Sequence, residues 1–412
     1  MGLIGKAGAV CALALAALAA SPASAKWVES WEAPPHAPLT TTGPFAAASY
    51  DNVTLTQLVY LSQGGDKLRV RFTNRYGEHP LKIGAARIVR IDDAGKEIPG
   101  SARTLTFGGQ ASAIIPKGAP FVSDAVELDL PDLSRVKIEF YLPDATGPCT
   151  CHLTGQDELD VSPPGNFVGK SFEPADKKNF RAFLAGVEVD SSKALGTIVA
   201  FGDSITDGVG STPGKNTRWP DLLARRLHAA GMEWAVANAA ISGNRVLSPG
   251  MGDAALTRFD DDVLAMPGVK YIIVYEGVND LGIAWGPKRN GGPPIPGLVN
   301  DPISVAQMEA GYAQLVARAH ERGIKVIASP IGPYKGASYW SQEGEAAREK
   351  INQWILTSGI FDGIVRIDSA FADPNDPQQI REGYHFGDHL HGNDTSYKAV
   401  GDAFDLALFK AD

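Results

Sequence analysis

Residues 198–210 read IVAFGDSITDGVG. The apolar run Ile198-Val199-Ala200-Phe201 passes into Gly202-Asp203-Ser204, and glycine recurs at 208 and 210. A run of this kind ending in a glycine-rich turn is how a buried parallel strand hands over to a helix, and such turns hold either a phosphate or a nucleophile. If the second, Ser204 is the reactive group, and a free hydroxyl is too weak a nucleophile without a base. Three later segments carry the partner types: Asn238-Ala239-Ala240-Ile241-Ser242-Gly243-Asn244, Glu276-Gly277-Val278-Asn279-Asp280 and Gly387-Asp388-His389-Leu390-His391-Gly392. Serine, imidazole, carboxylate and carboxamide are what nucleophilic attack on a carbonyl requires.

The common alternatives for the glycine turn fail on spacing. A Walker-type phosphate loop needs Gly-Lys-Ser/Thr, but Gly214-Lys215 is followed by Asn216 and the first position is Val209. The dinucleotide fingerprint has Pro213 where its third glycine belongs. The Gly-x-Ser-x-Gly elbow is also missing, since Thr206 stands in the last place.

For these segments to meet, the chain must bring them to one edge. From Lys26 to about Asp190 apolar and charged residues alternate, as in Leu68-Arg69-Val70-Arg71-Phe72 and Val126-Glu127-Leu128-Asp129-Leu130. That period predicts half-buried strands, and the short spacing of turn residues predicts an all-β sandwich over 26–190. From 191 to 412 short apolar strands alternate with helical segments. Strands are expected at Thr197–Phe201, Trp234–Asn238, Tyr271–Tyr275, Lys325–Ser329 and Val365–Asp368. Helices are expected at Pro220–Ala230, Ala254–Met266, Ser304–Arg322, Gly344–Thr357 and Thr395–Phe409. The alternation implies an α/β fold, a parallel sheet covered by helices on both faces in a three-layer α/β/α arrangement. All strand-to-helix loops of such a sheet lie on one edge, so residues far apart in sequence converge there.

Residues 1–25 are read as a secretory signal peptide. Lys6 is their one charge, an Ala/Leu-rich run spans Ala7 to Ala20, and Ala23-Ser24-Ala25 suits cleavage after Ala25. The expectation is a secreted or periplasmic protein with no stable membrane insertion once the signal is removed. The net charge of −9 makes nucleic acid and anionic membranes poor partners. Export leaves Cys149 and Cys151, for which a tight disulfide, two thiols and a metal pair all remain open.

From about 197 to 409 the chain resembles the GDSL, or SGNH, hydrolase superfamily. The family's four blocks occur in order: Gly202-Asp203-Ser204, then Gly243, then Gly277-x-Asn279-Asp280, then Asp388-x-x-His391. Ile205 replaces the usual leucine, and Gly392 the usual proline after the last-block histidine. The β-rich half, through Trp27-x-x-x-Trp31 and its strand pattern, is similar to the N-terminal region of secreted xylan-associated acyl esterases.

The resemblance implies catalytic Ser204, Asp388 and His391, with an oxyanion hole made by the Ser204 and Gly243 N–H groups and the Asn279 amide. The chemistry asks for the same roles. An imidazole, ordinarily titrating at about 6.5, takes and returns the serine's proton; a carboxylate holds its tautomer; a carboxamide donates where a carboxylate would repel the developing charge. The implied activity is hydrolysis of short acyl esters, acetyl groups on a polysaccharide above all, through an acyl-Ser204 intermediate and with no cofactor or metal. A lipase or lysophospholipase acting on lipid esters is the nearest alternative, and a non-catalytic carbohydrate-binding protein is the alternative of another class. His385, His389 and His391 with Asp388 also suit zinc by type, but no His-Glu-x-x-His accompanies them. His385 and His389 are expected on the loop or rim. Asp203 and Asp280 are expected to brace loops, and Trp285, Tyr334, Tyr339 and Trp340 to follow strand ends on the active edge.

Overall fold

A computed structural model describes residues 2, 26–39, 47–287 and 302–410. Apart from residue 2, the segment read as a signal peptide lies outside the described residues, as does most of the Gly/Pro-rich loop from Gly286 to Pro302. Among the described residues no helix is long and apolar enough to cross a membrane.

The described residues before 196 form strands and no helix. One antiparallel sheet runs in the order Trp27–Glu32, Leu184–Asp190, Gly65–Thr73, Pro120–Val122, with Val126–Leu130 also pairing Gly65–Thr73. A second runs Asp176–Lys178, Leu159–Val161, Val53–Tyr60, Arg135–Leu142, Ala85–Ile91, Arg103–Thr104. The two share a core. Leu68, Val70 and Phe72 from the first and Val59, Val136, Ile138 and Phe140 from the second are all fully buried. Phe72 meets Phe140 edge-on with ring centres 5.3 Å apart, and each such side chain contributes about 1.5–3 kcal/mol by leaving water.

The alternating charges behave differently from a solvated face. Arg71 lies among Glu29, Glu32 and Glu188 with its side chain only 16 % exposed. The strand Trp27–Glu32 packs against the strands of the following region, which covers that face. Thr197 Oγ1 accepts from the Glu29 N–H at 3.0 Å, and Ser62 Oγ accepts from the Val236 N–H at 2.9 Å across the same boundary. Gly186 makes room for the charge cluster, since a Cβ there would lie 2.4 Å from Glu29 Oε1.

After residue 196 a parallel sheet runs in the order Trp234–Asn238, Gly196–Gly202, Val269–Tyr275, Lys325–Ala328, Gly363–Ile364. Its central strands are buried on both faces, which is why they read as unbroken apolar runs. Helix Trp219–Ala229 packs on Asp394–Ala403, and Val305–His320 on Gln342–Thr357. Trp219 stacks on Phe404 at 5.3 Å.

Three elements depart from the predicted spans. The strand expected at Val365–Asp368 is Gly363–Ile364, and Ile367–Phe371 is helical instead. The helix expected over Ala254–Met266 is α only over Ala255–Phe259 and continues as a π turn over Asp260–Leu264. The last helix stops at Ala403, followed by a 3₁₀ turn over Leu406–Phe409 that Asp405 caps.

Candidate active site

The strand Gly196–Gly202 ends under the site, and Asp203 turns the chain into the short helix Ser204–Asp207 by accepting the Ile205 N–H at 3.0 Å. That satisfies one of the donors a helix start leaves open, and it sets Ser204 at the first helical position. Gly208 closes the turn at φ 100°. A Cβ there would strike the Arg218 side chain at 2.2 Å.

Ser204 Oγ lies 2.7 Å from His391 Nε2, and His391 Nδ1 lies 2.6 Å from Asp388 Oδ2. The second contact decides the proton arrangement: Nδ1–H donates to the carboxylate, so Nε2 accepts from the Ser204 hydroxyl. Asp388 Oδ1 also accepts the Leu390 and His391 N–H groups, each at 3.0 Å. Burial raises the Asp388 pKa, but the bonds and charge from His391 and the Leu390 N–H outweigh it, leaving the carboxyl at about 2. Gly392 lets the last loop lie close, since a Cβ there would meet Ser396 Oγ at 2.6 Å and Phe371 at 2.9 Å. Phe386 stacks beside the His391 ring at 5.7 Å and is 55 % exposed.

The other two segments reach the same place. Ile241 N–H donates to the Gly202 carbonyl at 3.1 Å. Ser242, the next residue, gives both its N–H and its hydroxyl to Asp207 Oδ2, at 3.0 and 2.6 Å. Gly243 follows at φ 77°, and its missing Cβ would have met Met251 at 2.5 Å. Packing against Met251, together with the left-handed backbone, is therefore what calls for glycine. Asn279 lies in the first turn of helix Val278–Ala284 and donates Nδ2–H to the Asn244 carbonyl at 2.9 Å. Tyr339 O–H donates to Asn279 Oδ1 at 3.4 Å, so the carboxamide orientation is held from both ends. One N–H of the Asn279 amide is used by Asn244, and it has a second.

Beneath these loops Asp280 accepts the Val246 and Leu247 N–H groups at 2.8 and 3.2 Å. Arg258, buried and lying over the Phe201 ring, donates to the carbonyls of Gly202 and Ala239 and to Asn244 Oδ1. Burial pushes Asp203 up to about 7 and Asp280 up to about 6.

Ser204, Asp388 and His391 are thus joined in one hydrogen-bonded chain, and Gly243 and Asn279 are tied to the loops beside it. His385 and His389 pair with each other at a ring separation of 4.2 Å, and the His389 ring packs on Gly336. Among the described residues, the group of three or more metal-ligand side chains close enough to share an ion is Asp132, His228 and Glu233, far in sequence from the 385–391 loop. A cavity of about 530 Å³, lined by Leu247, Leu256, Pro302, Ile303 and helix Val305–His320, includes none of the five site residues. Cys149 and Cys151 are disulfide-bonded. Sequence reasoning missed the hold of Tyr339 on Asn279, the brace of Arg258, and the contact of Asp207 with Ser242. Position gave the only hint, Asp207 standing one helical turn after Ser204.

Residues 200–399 match the family model described as GDSL-like lipase/acylhydrolase. This region is therefore a domain of that family, and the protein is a carboxylic ester hydrolase with a β-rich region ahead of the domain. Its fold is similar to that of a lipase/acylhydrolase from Enterococcus faecalis, at 23 % identity and TM-score 0.37, covering 52 % of this chain and 92 % of that one. An acetyl xylan esterase from Geobacillus stearothermophilus is similar at 17 % identity and TM-score 0.39, covering 53 % of this chain and 95 % of that one. Family membership rests on the 200–399 match and not on these two likenesses. No curated protein matches the chain.

Proposed function

We propose that the protein is a secreted serine esterase that cleaves short acyl esters through an acyl-Ser204 intermediate. The observation that carries this reading is the chain from Ser204 Oγ through His391 to Asp388, with contacts of 2.7 and 2.6 Å. Ser204 oxygen forms a bond to the ester carbonyl carbon while its proton passes to His391 Nε2. The carbonyl oxygen becomes an oxyanion facing the Ser204 N–H, the Gly243 N–H and the free N–H of the Asn279 amide. Collapse breaks the bond to the leaving alkoxide, which takes the proton back from His391. Water then repeats the sequence on the acyl-serine, releasing the carboxylic acid. Asp388 keeps the imidazole in the required tautomer and offsets its charge once protonated.

The preferred substrate in this reading is an acetyl ester on a polysaccharide. The exposed Phe386 ring beside His391 supports it, because a flat aromatic face at the mouth of a site suits the apolar face of a sugar ring. Export is supported by the Cys149–Cys151 disulfide, which fits an oxidising compartment. The two antiparallel sheets sharing one core are read as a sandwich, residues 26–190, and the 191–412 region as a three-layer α/β/α unit.

The test is turnover of a p-nitrophenyl ester series, followed by acetate release from acetylated xylo-oligosaccharides and from glycerol esters. Turnover that a serine-directed phosphonate abolishes and EDTA leaves alone supports the reading, with acetate release fastest from the glycan. Loss of turnover on adding EDTA, or no turnover on any ester, overturns it. Faster release from glycerol esters moves the substrate to lipids.

A further inference from the structure

A second histidine–carboxylate pair lies close to the reacting serine and has no part in the proton transfers above. His152 belongs to the short strand Cys151–His152 of the β-rich region. Its Nε2 is 3.0 Å from Asp207 Oδ1, and its Nδ1 is 2.9 Å from the Pro34 carbonyl oxygen. A carbonyl oxygen only accepts, so Nδ1 carries a proton; Nε2 faces a carboxylate and carries the other. The ring is an imidazolium. Burial alone pulls its pKa down, but the Asp207 charge and bond, with the Pro34 carbonyl, outweigh that and raise it.

Asp207 uses its other oxygen on the adjoining loop, accepting both the Ser242 N–H and hydroxyl. The contacts thus run without a break from Pro34 through His152 and Asp207 to Ser242, the neighbour of Gly243. Both partners are buried, His152 at 5 % and Asp207 at 2 % exposure. The void beside them, lined in part by His36, Ile241 and Met251, measures about 10 Å³, at the lower limit for a single water. Solvent has little room to take over either partner's bonds. His152 is itself anchored by the Cys149–Cys151 disulfide next to it and by strand pairing with Arg181.

We propose that His152 is a positioning residue for ester cleavage, supplied by the β-rich region: by clamping Asp207 it holds the Ser242–Gly243 turn in register with Ser204. The proposal rests on the reading of the Gly243 N–H as an oxyanion donor. Donor placement matters more to the tetrahedral oxyanion than to the planar ester, so releasing the clamp lowers kcat and leaves KM nearly unchanged.

The test compares wild type, His152→Gln, Ser242→Ala and Ser204→Ala on p-nitrophenyl acetate, with active serines counted by phosphonate titration. A boronic acid, which forms a tetrahedral adduct on a reactive serine, serves as the second readout. For His152→Gln the expected result is a loss of about tenfold in kcat per titrated serine, short of the roughly 10²- to 10³-fold that removing an oxyanion donor outright costs. KM stays within about twofold, and the boronate inhibition constant rises by the same factor as kcat falls. A merely structural role lowers the number of titratable serines and moves neither value per site, and that result overturns the proposal. Should His152→Gln not fold, Ser242→Ala carries the test, with a smaller loss of the same signature expected and wild-type values overturning it. If wild type cleaves no ester, the reading of the site fails, and the proposal with it. If wild type cleaves, Ser204→Ala does not, and His152→Gln matches wild type, the proposal alone is lost.

Discussion

Two histidine–aspartate pairs bear on the Ser204 site, and their differences separate the proposed chemistry from the proposed support. His391 and Asp388 are three residues apart in one loop, partly exposed, and only one imidazole nitrogen faces an acceptor-only group. The other nitrogen faces the Ser204 hydroxyl, a group able to give up a proton. His152 and Asp207 are 55 residues apart, come from two regions, and are buried. Both His152 nitrogens face acceptors, so that ring holds its protons. In the proposed reading the first pair passes a proton and the second keeps one. Exposure follows from the same distinction, because a proton relay must meet substrate and water, whereas a clamp is stronger when dry.

Substitutions break this contrast in graded ways. Ser204→Ala removes the nucleophile and is expected to lower kcat by about 10⁶-fold, while the urea-unfolding midpoint stays at the wild-type value. Asp388→Asn places the wrong tautomer on His391 and should lower kcat by about 10⁴-fold. It should shift unfolding little, since a partly exposed pair contributes about 0–1 kcal/mol. Asn279→Ala should cost about 3–4 kcal/mol of barrier, seen in kcat; a change confined to KM would make Asn279 a substrate-binding group instead. Asp207→Ala releases the clamp outright, so it should lower kcat at least as much as His152→Gln and, unlike Asp388→Asn, also lower stability. It leaves His152 and the two Ser242 donors without their buried acceptor and should destabilise the fold by about 1–3 kcal/mol in urea titrations.

The smallest expected effect is a pH dependence. Asp388 titrates at about 2 in the folded chain, below its ordinary value of 3.8. A carboxyl whose folded pKa is depressed contributes stability that is complete above its unfolded pKa and is lost as pH falls through the folded one. The stability difference between wild type and Asp388→Asn should therefore shrink as pH drops from about 5 to about 2. A difference that stays constant over that window would remove the charge-assisted contact from the account.

Much of the candidate site is readable from residue order, and the reason is topological. A parallel α/β sheet sends each strand-to-helix loop to one edge, so Ser204, the Gly243 turn and Asn279 were expected to meet once the alternation of strands and helices was recognised; the 388–391 loop follows the helix Ile367–Phe371, and only the matched Asp388-x-x-His391 block pointed to it. The strand Trp234–Asn238 has the predicted bounds because its run is buried throughout. Where neighbours decide conformation, local pattern fails. The region after Asp362 shows this: two residues complete the sheet edge, and Ile367 and Phe371 are then buried as a helical turn. Alternation in Leu68–Phe72 identified the strand but carried no sign that the Arg71 face would be covered by the next region. His152 was missed for the same reason. Nothing near it in sequence marks Asp207 as its partner, and only the docking of two regions brings them together.

The central claim is that Ser204 forms a covalent acyl intermediate under His391 and Asp388. Rapid quenching of p-nitrophenyl acetate hydrolysis, with peptide mass spectrometry of the quenched chain, tests it most directly. The account predicts a burst of nitrophenol and an acetyl group on Ser204, with neither seen for Ser204→Ala. An acetyl group on a different residue, with Ser204→Ala still turning over ester, would contradict it.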